Sequence, residues 1–158
     1  MHTIARHLSV ALVAAHLLAG SAASAQEAVA KYSTWTKLEG AAELREYKER
    51  LREPGGQFDA AARAFVTQVA LPQLGFEANR ATIERVRRRI REVVLSDIAD
   101  EKAFDDAAKT VLDTMATLAR NGDAEPAVRV NAMLMVGEVR AKDNRPLAAA
   151  APVLAAAA

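Results

Sequence analysis

The apolar residues of this chain recur at the spacing of an α-helix, and this periodicity limits its fold more than any other feature. Between residues 79 and 95, four apolar residues share one helix face: Ile83, Val86, Ile90 and Val93. The same period recurs in five further segments, at residues 36–52, 57–70, 100–120, 126–140 and 146–158. No segment alternates apolar and polar residues as a half-buried strand does. The sequence therefore predicts an all-α fold.

Capping and turn residues predict where these helices begin and end. Thr36 and Glu39 have the spacing of a capping box at the start of helix 36–52, and Pro54-Gly55-Gly56 ends it. Asn79 is the expected N-cap of helix 79–95. Pro72 follows helix 57–70 closely and is expected to end it.

The first 25 residues have the three parts of a secretory signal peptide. Arg6 gives a positive start, Leu8 to Ala19 form an apolar stretch, and Ala23-Ser24-Ala25 supplies the cleavage pattern. The apolar stretch is about a dozen residues, whereas a membrane-spanning helix needs about 20. We expect cleavage before Gln26, export to the periplasm or the extracellular space, and no stable membrane insertion afterwards. The alternative is an N-terminal helix packed on the single helical domain at residues 26–158.

The predicted mature chain has no histidine and no cysteine, because His2, His7 and His16 lie in the leader. This excludes Ser-His-Asp and Cys-His catalysis, zinc sites of nitrogen and sulfur ligands, histidine-ligated haem and thiol redox chemistry. Loss of Arg6 from 21 basic residues leaves 20 against 20 acidic ones. A net charge of zero argues against nucleic-acid binding. No catalytic residue, metal or cofactor is predicted.

The stretch AEPAVRVNAMLMVGEVR at residues 124–140 is apolar on more than one side. With the following helix it resembles a HEAT-type repeat, and it is similar to exported bacterial proteins with HEAT-like repeats. The matching residues are Asp123, Pro126, Val128, Arg129, Ala132, Gly137 and Val139. The resemblance implies antiparallel helix pairs stacked as a short HEAT-like or armadillo-type α-solenoid, with residues 100–158 as its HEAT-like part.

The resemblance also implies roles for polar residues at a repeat junction marked by Asp123. Arg129 is expected to bond acidic or carbonyl groups of the adjacent loop, and Asn131 to hold loop backbone; ligand binding is the alternative. The residues expected to face a neighbouring repeat are Val130, Met133, Leu134 and Gly137. The last helix has no polar cap, so we expect either a truncated chain or an end near Val153 and Leu154 that another protein covers.

The segment RVRRRIR holds five arginines in seven residues: Arg85, Arg87, Arg88, Arg89 and Arg91. Because the apolar residues of this helix face the core, the arginines are expected to form a solvated, salt-bridged face. Glu84 and Arg88 have the spacing of a favourable i, i+4 pair. The alternative is a surface for a partner or a polyanion.

Acidic and aromatic residues give weaker indications of a metal site or a sugar-binding site. The segment SDIADEKAFDD at residues 96–106 lacks the glycine-containing pattern of a calcium loop, so Asp100 and Glu101 are interpreted as first-turn acids. Trp35, with Tyr32, is interpreted as a hydrophobic staple at a helix start. Stacking on a sugar is the alternative.

These observations predict a non-catalytic, exported protein-interaction or scaffold module. Its partner would be another protein, or a further repeat, docking on the C-terminal end. The alternative is a carboxylate-based hydrolase or a carbohydrate-binding protein that uses Trp35. A groove with clustered carboxylates of raised pKa would favour the enzyme, and satisfied ion pairs on an open surface would favour the scaffold.

Overall fold

The computed structural model describes residues 31–156, so the predicted signal peptide lies outside the described residues. Seven α-helices form this part of the chain: α1 Trp35–Glu39, α2 Ala42–Arg52, α3 Ala60–Ala64, α4 Ile83–Leu95, α5 Glu101–Arg120, α6 Pro126–Glu138 and α7 Ala150–Ala155. The described residues contain no strand, only one isolated bridge between Arg140 and Pro146. The all-α prediction is confirmed, whereas the stacking as a solenoid stays a prediction.

The predicted helix 36–52 is divided in two. The side chain of Thr34, and not that of Thr36, caps α1 by accepting a hydrogen bond from the Lys37 backbone N–H at 3.3 Å. The helix then stops at Gly40, and Ala41 takes an extended conformation before α2. Glycine in a helix interior costs about 1 kcal/mol relative to alanine, which explains the interruption at Gly40.

The predicted helix 57–70 changes its winding along its length. Asp59 caps α3, whose path continues into a π-helical turn at Phe65–Ala70 and then a 3₁₀ turn at Leu71–Gly75. Pro72 does not end the helical path but lies in the first turn of the 3₁₀ helix, where an N–H group has no partner within that helix. The wider i to i+5 turn brings Phe65 and Ala70 to the same buried face.

Asn79 does not cap a helix, contrary to the prediction. Residues 77–82 form a 3₁₀ helix, α4 begins at Ile83, and the Asn79 side chain is buried beneath α1. Its Oδ1 accepts a hydrogen bond from the Trp35 backbone N–H at 3.0 Å, and its Nδ2 donates to Gln73 O at 2.9 Å and to Gln73 Oε1 at 2.8 Å. The Gln73 amide in turn donates to Tyr32 O at 3.0 Å. These bonds fix the N-terminal described segment to the core.

Helices α5 and α6 form the most extensive helix pair, antiparallel across the short loop at residues 121–125. Helix α4 packs against α6 and the 3₁₀ turns. Residues at the contacts between these helices are almost completely inaccessible to solvent: Ile90, Val94, Ala107, Val111, Ala132 and Met135. The last predicted helix is shorter than residues 146–158, because Pro146 pairs with Arg140 and α7 begins at Ala150. No helix within residues 31–156 combines the length and the apolar character needed to cross a membrane.

Candidate interaction surface

The five arginines of α4 do not form one solvated face. Arg87 is only 7% exposed, and its Nε donates a hydrogen bond to Asn131 Oδ1 at 3.2 Å. Its guanidinium also forms an ion pair with Glu138 of α6. Arg87 therefore belongs to the α4–α6 contact and not to a surface for a partner or polyanion. Arg87 is four residues after Ile83 and three before Ile90, a spacing that could have placed it beside the apolar face, but only the packing of α6 supplies its partners.

Glu138 is shared by two arginines. Arg91 Nη1 lies 3.3 Å from Glu138 Oε2, while Arg87 contacts Oε1 of the same carboxylate. Two guanidinium groups and one carboxylate leave a formal excess of one positive charge at this junction. Because Arg87 is the more buried of the two, the uncompensated charge is nearer to solvent, at the half-buried Arg91.

The remaining three arginines are exposed. Arg89 is both exposed and salt-bridged, as expected for this segment, with Nη2 at 2.8 Å from Glu39 Oε1 and Nη1 at 2.8 Å from Glu92 Oε2. Arg85 and Arg88 are exposed, and the described residues show no ion pair between Glu84 and Arg88. A face that is both solvated and salt-bridged thus describes Arg89 and the half-buried Arg91, but not the whole segment.

At the start of α6, the three predicted junction residues take different positions. Arg129 Nε donates to Ala119 O at 3.2 Å, so it bonds a carbonyl in the last turn of α5 and not one of the adjacent loop. Asn131 does not hold loop backbone. Its amide donates to Ala127 O at 2.9 Å within α6, and its oxygen accepts from Arg87. Asp123 is exposed in the loop at residues 121–125.

An exposed apolar strip runs along the outer side of α6 and onto α7. We define the α6–α7 strip as Val130, Leu134 and Leu154, which are 57%, 45% and 37% exposed. Val130 and Leu134 are four residues apart and therefore lie on one side of α6. Leu154 lies over Gly137, since a Cβ at that glycine would be 4.0 Å from both Leu154 Cδ atoms. Met133 and Val153 instead pack partly against the core.

The aromatic residues near α1 have packing roles. Trp35 is 5% exposed, so its ring offers no face for a sugar to stack on. Tyr32 is also buried, and its hydroxyl donates to Glu43. The Trp35 indole N–H makes no hydrogen bond within the described residues, although it lies close enough to Glu39 to affect that carboxyl. Burial of Glu39 opposes ionisation, but Trp35 and Arg89 outweigh this and lower its pKa.

Hydrogen bonds and ion pairs favour the ionised form of six acidic side chains in residues 31–156. The hydrogen bonds from Lys31 and Tyr32 lower the pKa of Glu43 to about 2. The pKa of Asp97 is lowered, chiefly by its hydrogen bond with Lys48. Every carboxyl group with a shifted pKa in residues 31–156 shifts in this direction: Glu39, Glu43, Asp59, Asp97, Asp106 and Asp143. None of these has the raised pKa expected of a general acid.

The acidic segment at residues 96–106 serves as a helix start. Asp100 caps α5, where its Oδ1 accepts a hydrogen bond from the Ala103 backbone N–H at 2.9 Å, and Glu101 is in the first turn. The described part of the chain contains no group of three or more acidic, histidine or cysteine side chains placed to hold a metal ion.

Comparisons with models of known protein families, with curated proteins and with solved structures return no match to this chain.

Proposed function

We propose that this chain is an exported, non-catalytic protein-interaction module, and that the α6–α7 strip is its docking surface. Export follows from the signal peptide expected at residues 1–25. The observation that carries the proposal is the exposure of Val130, Leu134 and Leu154 together on the outer side of the α5–α6 pair.

The strip is costly to leave in water. Each square ångström of apolar surface removed from solvent contributes about 25 cal/mol, so covering three aliphatic side chains would favour association. Contiguous apolar surface on a folded protein is typical of interaction sites. The small, exposed residue Ala127 beside the strip allows another backbone to approach the first turn of α6 closely.

The occupant that fits this surface is an amphipathic helix of another protein. Val130 and Leu134 form a ridge at i, i+4 spacing, which packs into the groove of a second helix. Glu138 lies one turn beyond Leu134, where Arg87 and Arg91 share its single carboxylate. The excess positive charge there favours a partner helix with an acidic residue on the side that faces α4.

The carboxyl groups favour this function over a carboxylate-based hydrolase. General acid catalysis near neutral pH needs a carboxyl group with a raised pKa, whereas the shifted pKa values here are lowered by ion pairs and hydrogen bonds. Burial of Trp35 likewise argues against the sugar-binding alternative.

Site-specific photocrosslinking tests the proposal in the cells that produce the protein. A benzophenone side chain at Val130 should form an adduct with one other protein, and peptide mapping should place the adduct on an amphipathic helix. Leu134→Glu should remove the adduct, because it places an unpaired charge in the apolar contact. The same crosslinker at the exposed Ala61 of α3 is the matched control. Equal adduct patterns from positions 130 and 61 would contradict the proposal.

A further inference from the structure

We propose that a second surface of this chain binds the phosphate group of a small molecule. The surface is a cleft of about 530 Å³ between the end of α4, the residues before α5 and the loop after α6. We call it the basic cleft and define it by its polar residues, Arg91, Ser96, Arg140, Lys142 and Asn144. None of its residues belongs to the α6–α7 strip, so it stands independently of the docking function.

Two of its cations have no carboxylate partner in the described residues. Arg140 Nη1 donates to the backbone carbonyl of Gly137 at 3.0 Å, and Lys142 Nζ donates to that of Ala99. A carbonyl accepts a hydrogen bond but does not neutralise a charge. Both groups are exposed and retain donors for an anion, because a guanidinium has five N–H groups and an ammonium has three.

The third cation of the basic cleft, Arg91, adds to its excess of positive charge. Arg91 shares Glu138 with the buried Arg87, so its own charge is only partly compensated. Glu92, the one acidic residue that lines the cleft, is paired with Arg89. Three basic residues and one acidic residue give the lining a formal charge of +2, which matches a phosphate dianion.

The loop that carries two of these cations is held by backbone hydrogen bonds. Ala141 N donates to Arg145 O at 2.9 Å, and Asn144 N donates to Ala141 O at 2.8 Å. Asn144 has a φ of 66°, a conformation that asparagine adopts more readily than most residues, and this closes the turn. Because the loop backbone is fixed, an anion would not have to order it on binding.

The chemistry indicates a phosphate group, which is supplied either by inorganic phosphate or by an organic phosphomonoester. A tetrahedral dianion can accept hydrogen bonds from several cations at once, as well as from the Ser96 hydroxyl. The apolar side of the cleft is formed by Leu95, Ile98 and Phe104. Contact with that side would favour an ester over the free ion.

Titration of the purified protein with inorganic phosphate and with phenyl phosphate, followed by amide NMR, tests this proposal. Both ligands should shift the amide signals of Ser96, Lys142 and Asn144. Tighter binding of phenyl phosphate would identify an organic phosphomonoester as the ligand, and equal binding of the two would identify the free ion. The double variant Arg140→Gln, Lys142→Gln should weaken binding about tenfold or more, because it removes both cations that have no carboxylate partner and with them two charge-assisted hydrogen bonds to the phosphate. Raising the salt concentration should also weaken it.

Arg145→Gln is the matched control. Arg145 is on the same loop and pairs with Asp143, but it does not line the cleft, so this variant should bind phosphate as the wild type does. A melting curve for each variant establishes that it is folded. The proposal is overturned if neither ligand shifts the signals of the cleft, or if the folded double variant binds as tightly as Arg145→Gln.

Discussion

Arg87 of α4 and Glu138 of α6 form an ion pair between residues 51 positions apart in the chain. The pair fixes the arginine-rich helix against α6, the helix that carries Val130 and Leu134. Because the arginine is buried and the glutamate is partly exposed, the pair sets both the stability of the α4–α6 contact and the charge beside the strip.

Glu138→Gln should destabilise the fold by about 1–3 kcal/mol. The substitution leaves the buried Arg87 without a countercharge, and breaking a fully buried pair costs about 3–5 kcal/mol, which solvent access to Glu138 reduces here. Urea denaturation measures the change. Glu92→Gln, which removes an exposed partner of Arg89, should change the free energy of unfolding by less than about 0.5 kcal/mol. Equal losses of unfolding free energy in the two variants would show that burial of Arg87 does not increase the cost of removing its countercharge.

Asn79→Ala should loosen the segment that contains α1. The change removes the acceptor for the Trp35 backbone N–H and the donor to Gln73, and each unsatisfied buried group costs about 1–3 kcal/mol. Trp35 is the single tryptophan of the chain, so its fluorescence reports on this segment directly. We expect red-shifted emission and faster hydrogen exchange of the Trp35 amide, neither of which should appear in the exposed-site control Thr36→Ala. A blue-shifted, wild-type spectrum in Asn79→Ala would contradict this account.

The stability contributed by Glu43 should depend on pH. Hydrogen bonds from Lys31 and Tyr32 lower the pKa of Glu43 from its ordinary value of 4.5 to about 2, so the ionised form stabilises the folded state. This contribution is fully present above pH 4.5 and is lost as the pH falls toward 2. The difference in melting temperature between wild type and Glu43→Gln should therefore shrink as the pH is lowered from 6 toward about 2. Glu49→Gln controls for the loss of one negative charge from α2. A difference that stays constant with pH would refute the prediction.

Gly56→Ala should destabilise the chain by about 1–3 kcal/mol, the usual cost of forcing an extra group into packed structure. A Cβ at this position would be 2.4 Å from the Arg50 backbone oxygen, and the backbone would have to move to admit it. Gly122→Ala adds the same group where no atom lies within 4 Å, so it should leave the melting temperature nearly unchanged. Similar melting temperatures for both variants would mean that the turn after α2 is not close-packed.

Much of the fold could be predicted because the helical period is local. The apolar face of α4 and the acids that start α5 depend on residues within a few turns, and both are found as predicted. The role of Asn79 could not be predicted in this way. It depends on Gln73 and Trp35, which reach Asn79 only after the chain has folded back on itself.

The same distinction applies to the candidate sites. The exposure of Val130 and Leu134 agrees with an apolar pattern that exceeds one helix face. The arginine segment suggested one surface, but α6 buries Arg87, and the basic cleft combines Arg91 with Arg140 and Lys142, about 50 residues away in the chain. Sequence spacing within α4 carried no signal for that combination.

The most direct test of the docking surface is the mass of the protein in solution, by light scattering on a sizing column. We predict that the purified chain is a monomer, because the strip receives a helix of a different protein. Mixed with the protein that crosslinks to position 130, it should elute as a complex, and Leu134→Glu should return it to the monomer mass while retaining a cooperative melt. A homodimer that Leu134→Glu dissociates, or a complex that this variant leaves intact, would contradict the account.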